Sequence, residues 1–583
     1  MQSFKKLCGF FALAALVVAA CGDSEETSDN STAPATSVAA GPTTTVPPQT
    51  GGTLRFGAYQ DIAGLDPLVS LGSGTSGGIQ TAAVYDTIMR YDVATKQYTP
   101  QTAETVTPNA DSTEWTIKIR AGIKFTDGTD YDAAAVQFGL NRHRSGTAGG
   151  PTTTNCAEYI ACPRNNLSSS VYMSLIKDIQ VVDKLTLKVT LNESWTSFPY
   201  ALAAEPSMIP SPTALKKCDG TKNPNTCEFN LKPVGAGPFM VESFKPADSI
   251  NLVRNPAYWG GPTYLDGIKF VSLNDAGGMK TYESFQTGGV DVAYLRSPDA
   301  VAAAHKDKHS GFSLVEQAGE ILLMNMGATL TCAGGKPEPL CVGKPDGPIP
   351  TTPNTQPLKV RQAVAAAIDP IAFNVRVYGG VGTPGTDLFQ SSFPWNPGVA
   401  GPKYDLEAAK RLVNEAKAEG WNGTIRVNFS NTPSGQAGGL ATEAMLKAAG
   451  MNVVLDTTKD AVTTQALVTT QKNFDVANFG TAIGPDDSAI WSLAQNLSST
   501  SPSNRVGFKS PLVDQALKDL RVAKTDDQRK ASFKVIAEEV NALVPWVTRL
   551  AQETFRVISP KVHDAVGGLK SLMYFDKAWI DSK

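Results

Sequence analysis

Along this chain, two spacings of apolar residues alternate: every second position, and every third or fourth. Trp115-Thr-Ile-Lys-Ile-Arg120 is apolar at 115, 117 and 119 and polar between, which predicts a half-buried strand. Val181–Leu191 alternates in the same way, Ile250–Val253 does so briefly, and Gly51–Phe56 does so weakly. Phe125-Thr-Asp-Gly-Thr129 reads as a turn, because its Asp-Gly step tolerates positive φ. Helical spacing takes over at Asp132–Arg142, where Asp132 is available as a cap. It returns at Val360–Ile368, Leu406–Ala418, Leu440–Ala449, Leu512–Ala523 and Gln528–Leu543. Strands and helices are mixed throughout and no repeat of fixed period appears. The expected class is α/β, with two or more mixed sheets.

Composition narrows the function. A chain of 583 residues exceeds what one hydrophobic core usually organises, so two or three domains are expected. Lys plus Arg total 52 against 55 for Asp plus Glu, a net charge of −3. That balance does not suit a nucleic-acid binder that relies on neutralising phosphates. Gly 51 and Pro 38 stay below low-complexity levels.

The N-terminus reads as an address. Lys5 and Lys6 precede an almost wholly apolar run, Leu7–Ala20, too short to span a bilayer and suited to a signal-peptide core over 1–20. Val18-Ala19-Ala20-Cys21 resembles the lipobox of bacterial lipoproteins, in which the cysteine is acylated. Gly22–Thr50 is Ser, Thr, Pro, Ala and acid without apolar periodicity, so 21–50 is expected to be a lipidated, disordered tether. The body is then extracytoplasmic and anchored to a bacterial cell membrane by its N-terminal lipid. Cys8 falls in the signal, and six further cysteines form three close pairs: Cys156/Cys162, Cys218/Cys227 and Cys332/Cys341. Loop-closure entropy favours nearest-neighbour disulfides. The competing zinc site lacks two-residue spacing and grouped histidines.

Eight local signatures, taken in order, carry a resemblance. They are Leu65-Asp66-Pro67; Tyr85-Asp86-Thr-Ile; the stretch Trp115–Thr129; Val234-Gly-Ala-Gly-Pro-Phe239; Arg254-Asn-Pro-Ala-Tyr-Trp-Gly260; Gly288-Gly-Val-Asp291; Val360–Asp369; and Tyr404-Asp-Leu-Glu-Ala-Ala-Lys410. Together they resemble the extracellular solute-binding proteins of family 5, the peptide-, dipeptide- and nickel-type receptors of ATP-driven importers. The resemblance implies a two-lobed, three-domain fold of the periplasmic-binding-protein type with mixed sheets and a hinge. Domain I would comprise 51–88, 206–315 and 549–583, domain II 89–205, and domain III 316–548. Its implied partners are a small organic solute or peptide and the permease and ATPase subunits of an importer. The receptor would act as a monomer, without nucleic acid, metal or cofactor.

In peptide-binding relatives, the segment after a Phe-Asp-Val strand carries an arginine for the ligand carboxylate and an aspartate for its amine. Here that strand is Phe474-Asp475-Val476-Ala477, and the matching positions are Asn478 and Gly484, so both charges are absent. Asp486 and Asp487 lie close enough to compensate. The remaining lining would come from Ser73 and Thr75 in the loop 70–76, from Phe479, Thr481 and Ile483, and from Trp491 and Trp546. Such a lining suits a neutral or singly charged organic solute, with plain peptide as the alternative through Asp486 or Asp487.

Enzyme readings have weaker support. Gly74-Thr-Ser-Gly-Gly78 matches G-x-S-x-G and names a secreted hydrolase using Ser76, but the run before it is glycine-broken and loop-like. Ser174-Leu-Ile-Lys177 matches S-x-x-K without a K-T-G partner. His305 and His309 would share a helical face over Ala302–His309, separated by the charge run Lys306-Asp307-Lys308 and lacking a third ligand. A signalling or adhesion receptor on the same fold is the remaining alternative. No catalytic residue is assigned.

Overall fold

The structure, a computed structural model, describes residues 47–581 except 71, 145–157, 160–168, 220–223 and 502. Cys21, Cys156 and Cys162, the signal region and most of the tether lie outside the described residues.

A mixed eleven-stranded sheet organises the molecule. At its centre Ser310–Met324 and Trp546–Ile558 run antiparallel from Ser310↔Ile558 to Leu323↔Trp546. On one side Trp546–Ile558 pairs with Val292–Leu295, followed by Thr53–Ala58, Gly267–Ser272, Ser249–Arg254 and Phe239–Lys245. On the other, Ser310–Met324 pairs with Val476–Phe479, followed by Thr424–Asn428 and Asn452–Asp456. The two long strands therefore belong to both halves. Each half has its own core: Leu54, Phe56, Ile268 and Phe270 anchor one, and Ile425, Val427, Leu446 and Val476 the other. Burying such side chains contributes about 1.5–3 kcal/mol each.

A separate antiparallel four-stranded sheet is ordered Ala103–Pro108, Glu114–Ile119, Thr186–Leu191, Ile176–Asp183. Trp115, Ile117 and Ile119 face a large core that also takes residues from the helices Ser488–Leu497, Pro511–Val522 and Asp526–Leu543. The alternation over Val181–Leu191 is two strands rather than one. The chain turns at Lys184 and Leu185, with Asp183 Oδ1 accepting from Leu185 N at 2.8 Å. Asp132 caps the helix Ala133–Arg144, its Oδ1 accepting from Ala135 N at 3.0 Å.

Two further expectations need correction. The helix expected at Leu440–Ala449 begins earlier, spanning Pro433–Ala448 under a Thr432 cap. Its first turns are built from glycines, which carry no apolar signal; Gly438 packs so closely on Phe429 that a Cβ there would lie 2.9 Å from the ring. His305 and His309 share no helix face. The helix is Pro298–Lys306, Lys308 has φ +58°, His305 bonds Glu553 at 2.9 Å, and His309 packs edge-on against Phe285.

Cys218 and Cys227 are paired with Cα atoms 5.8 Å apart, and Cys332 and Cys341 with 5.4 Å. The second pair is buried with Leu330 in a small apolar cluster. No helix among the described residues is long and apolar enough to cross a membrane.

Candidate functional site

The two central strands do not stay in register. Glu316 opposes Gln552 and Glu320 opposes Leu550, so Gln317, Ala318 and Gly319 face one residue; then Ile321 opposes Thr548, leaving Arg549 as an extra residue. Such bulges re-aim side chains and free backbone groups. The freed groups are taken by the segment after Val476–Phe479. Gln317 N donates to Ile483 O at 2.9 Å, and Thr481 donates to Ala318 O through N at 3.3 Å and Oγ1 at 2.6 Å. Gly480 lies so near Gly319 that a Cβ would meet its carbonyl at 2.8 Å.

This docking sets the direction of each side chain in the segment. Asn478 and Phe479 are half-buried, and the Arg505 guanidinium lies 5.0 Å from the Phe479 ring. Thr481 and Ile483 are buried against the protein itself. Gly484 leads to Asp486, whose Oδ1 accepts from Ser488 N at 2.8 Å. Burial pushes the Asp486 carboxyl above its ordinary range. Asp487 is fully engaged: it accepts from Arg529 Nη1 at 2.6 Å and from Tyr98 Oη at 3.0 Å. Trp491 is buried among Trp195, Tyr172 and Tyr200, with ring centroids 4.7, 5.3 and 6.1 Å away. The indole N–H groups of Trp491 and Trp546 are buried without a hydrogen-bond partner among the described residues.

Ser73 precedes a short 3-10 turn, Gly74–Ser76, that contains Thr75, and their hydroxyls are 2.9 Å apart. Gly74 must be glycine, since a Cβ would fall 2.3 Å from Ser571 O. Ser571 and Lys570 both hold left-handed backbone, with φ +63° and +53°. Lys570 Nζ donates to Glu205 Oε2 at 3.2 Å, and Tyr172 Oη donates to Glu205 Oε1 at 3.1 Å. Among the described residues no strand lies between Thr53–Ala58 and the turn that holds Ser76, which is not the strand-to-helix elbow of a serine hydrolase.

A second group of charges was not foreseen. Arg549, fully buried, donates through Nη2 to Asn478 Oδ1 and lies 4.2 Å from the Phe373 ring. Glu320 Oε2 is 3.7 Å from Arg549 Nη2, and Arg296 Nη2 bonds Glu316 at 2.7 Å. The position of the absent arginine thus carries an amide backed by a guanidinium from Trp546–Ile558, across the intervening strand Ser310–Met324. A lone arginine inside Trp546-Val-Thr-Arg-Leu-Ala was the available signal. The docked segment and these charges lie at the interruption in the central strands. No cluster of His, Cys, Asp or Glu suited to a metal occurs among the described residues.

A Brucella ovis protein that carries the name of an ABC transporter peptide-binding protein is 24% identical over 504 residues, 85% of this chain and 86% of that one. The oligopeptide-binding protein AppA from Bacillus subtilis, solved with a nonapeptide, superposes with a TM-score of 0.71 at 18% identity, covering 92% of this chain and 100% of that one. AgaA of A. tumefaciens R10, solved with agropinic acid, gives 0.68 at 21%, over 91% and 99%. The fold is accordingly that of the periplasmic binding proteins. The family model described as bacterial extracellular solute-binding proteins, family 5 Middle, matches residues 97–503, and the chain belongs to that family.

Proposed function

We propose that the protein is the lipid-anchored receptor of an ATP-driven importer, and that it captures a peptide-like or other organic solute between two lobes for delivery to permease and ATPase subunits. The observation that carries this reading is the interruption at 316–321 and 548–552, where two strands shared by both halves lose register and polar side chains from distant segments meet. Lobes joined by such strands can close on a solute and desolvate it, then release it by opening. In this reading domain I takes 51–88, 206–315 and 549–583, domain II 89–205, and domain III 316–548. Cys21 is the acylated residue, with several acyl chains, because one alone gives marginal retention.

Among the expected contacts, Ser73, Thr75, Asn478 and Phe479 keep half-exposed side chains for the solute. Asp487 is engaged by Arg529 and Tyr98, and Asp486 by the Ser488 backbone N–H, so neither is a ready partner for a free amine. This favours a neutral or singly charged solute, among which capped or modified peptides fit best. The test is mass spectrometry of the solute carried by protein purified gently from its host, followed by calorimetry with that compound. A stoichiometric organic solute bound at micromolar or tighter affinity is expected. Ester or amide turnover lost on Ser76→Ala would overturn the receptor reading.

A further inference from the structure

Buried ion pairs in this protein are normally completed. Arg142 meets Asp66 through two bonds of 2.9 Å, with both side chains nearly inaccessible. Arg90 reaches the buried Asp86 through Nη2 at 3.0 Å. Glu320 and Arg549 break that pattern. Their closest approach is 3.7 Å, beyond hydrogen-bond length, although Arg549 is fully buried and Glu320 only 16% exposed. Arg549 Nε and Nη1 and Glu320 Oε2 are all buried without a hydrogen-bond partner among the described residues. Leaving such groups unsatisfied costs about 1–3 kcal/mol each, more when they are charged.

The surroundings hold this pair apart. Tyr378 Oη donates to Glu320 Oε1, which fixes that carboxylate and leaves Oε2 as the free acceptor. Burial and the Glu320 charge push the Tyr378 hydroxyl up, so it stays a donor. Arg549 is packed on Phe373, with Phe429 5.4 Å from its guanidinium carbon. Because Arg549 occupies Asn478 Oδ1, the Asn478 amide N–H groups point the other way, from a half-buried side chain. The offset arises at the bulge itself, where Arg549 is the extra residue beside the Glu320↔Leu550 pair.

The free groups are therefore one acceptor and several donors, on a pair with no net charge. A carboxylate placed there would gain from Arg549 what it loses to Glu320, and an ammonium the reverse, so neither charge is favoured. A group with one C=O and one N–H completes both partners at once. We propose that Glu320 and Arg549, with Asn478, form a subsite for an uncharged amide of the solute, a main-chain peptide unit or a carboxamide, rather than for a charged terminus. The inference rests on the receptor reading above and deepens it.

The test uses the full mature chain and two tetrapeptide pools of the same random composition, one with free termini and one N-acetylated and C-amidated. Native mass spectrometry ranks binding and calorimetry follows the strongest peptides. The blocked pool is expected to bind as well as the free pool or better. Tyr378→Phe and Asn478→Ala, both half-buried, are expected to weaken blocked peptides tenfold or more while circular dichroism shows the protein still folded; Glu320→Gln is expected to do the same if it folds. A free pool bound tenfold tighter overturns the subsite, as do variants that stay within twofold of the parent. If neither pool binds, the peptide-like reading itself falls and the subsite with it, an outcome distinct from peptides that bind but ignore these three side chains.

Discussion

Asp66 is 1% exposed and takes both terminal nitrogens of Arg142 at 2.9 Å, so either partner alone would be a buried, uncompensated charge. Arg142→Met is expected to cost about 3–5 kcal/mol, read from urea unfolding. Lys188→Met, which removes an exposed pair with Glu114 at 3.0 Å, should cost no more than about 1 kcal/mol. Asp486 behaves in the opposite sense. Its folded-state carboxyl is held above the ordinary 3.8, so ionising it at neutral pH weakens the native state. That weakening is fully present above the raised value and disappears as pH falls towards 3.8. Asp486→Asn keeps an acceptor for Ser488 N and should therefore stabilise the protein at pH 7, with the gain vanishing in acid. Unfolding curves at the two pH values check it; an equal gain at both would refute the assignment to burial. At this scale the sequence located the segment 478–487 from one strand motif. It did not reveal that Thr481 and Ile483 turn inward, because their direction depends on a bulge in a strand more than 150 residues earlier.

Alternation made Trp115–Arg120 and Ile250–Val253 readable as strands, because one face of each is buried. It merged two strands across Lys184 and Leu185, since a two-residue turn preserves the parity of the pattern. Helix starts made of glycine were equally silent, as at Pro433–Gly439. Close approach at such glycines is itself testable. Gly74→Ala would drive a Cβ towards Ser571 O, and the loop and the turn must separate. A loss of about 1–3 kcal/mol is expected, the range of overpacking. The paired cysteines offer a contrast: replacing Cys332 and Cys341 by serine opens a loop of separation 9 and should cost at most about 3 kcal/mol.

Across the whole molecule, several contacts join the four-stranded-sheet region to the helices after residue 487. Tyr98 reaches Asp487, Thr196 Oγ1 donates to Arg521 O at 3.1 Å and Ala523 O at 3.0 Å, and Glu193 pairs with Arg521. Trp491 sits among Tyr172, Trp195 and Tyr200 in the same seam. Removing two of these links, with Tyr98→Phe and Thr196→Ala together, should favour a more open molecule. Small-angle scattering of the solute-free protein is expected to show a larger radius of gyration, and no change would argue that the seam does not control opening. Anchoring is checked at the same scale: Cys21→Ser should abolish incorporation of labelled palmitate. The family was legible because eight short motifs keep their order over the chain; the charges around the strand interruption were not, since they come together only when distant strands pair.

The pairing of the central strands also fixes an order of events during synthesis. Thr53–Ala58 emerges early, but its neighbours are Gly267–Ser272 and Val292–Leu295, more than 200 residues later. Ser310–Met324 waits in turn for Trp546–Ile558, which leaves the ribosome more than 200 residues later. Until then the nascent chain carries long unpaired strand edges, the surfaces most prone to join other chains. For an exported chain such a delay is useful, because the central sheet cannot lock before Trp546–Ile558 has been made.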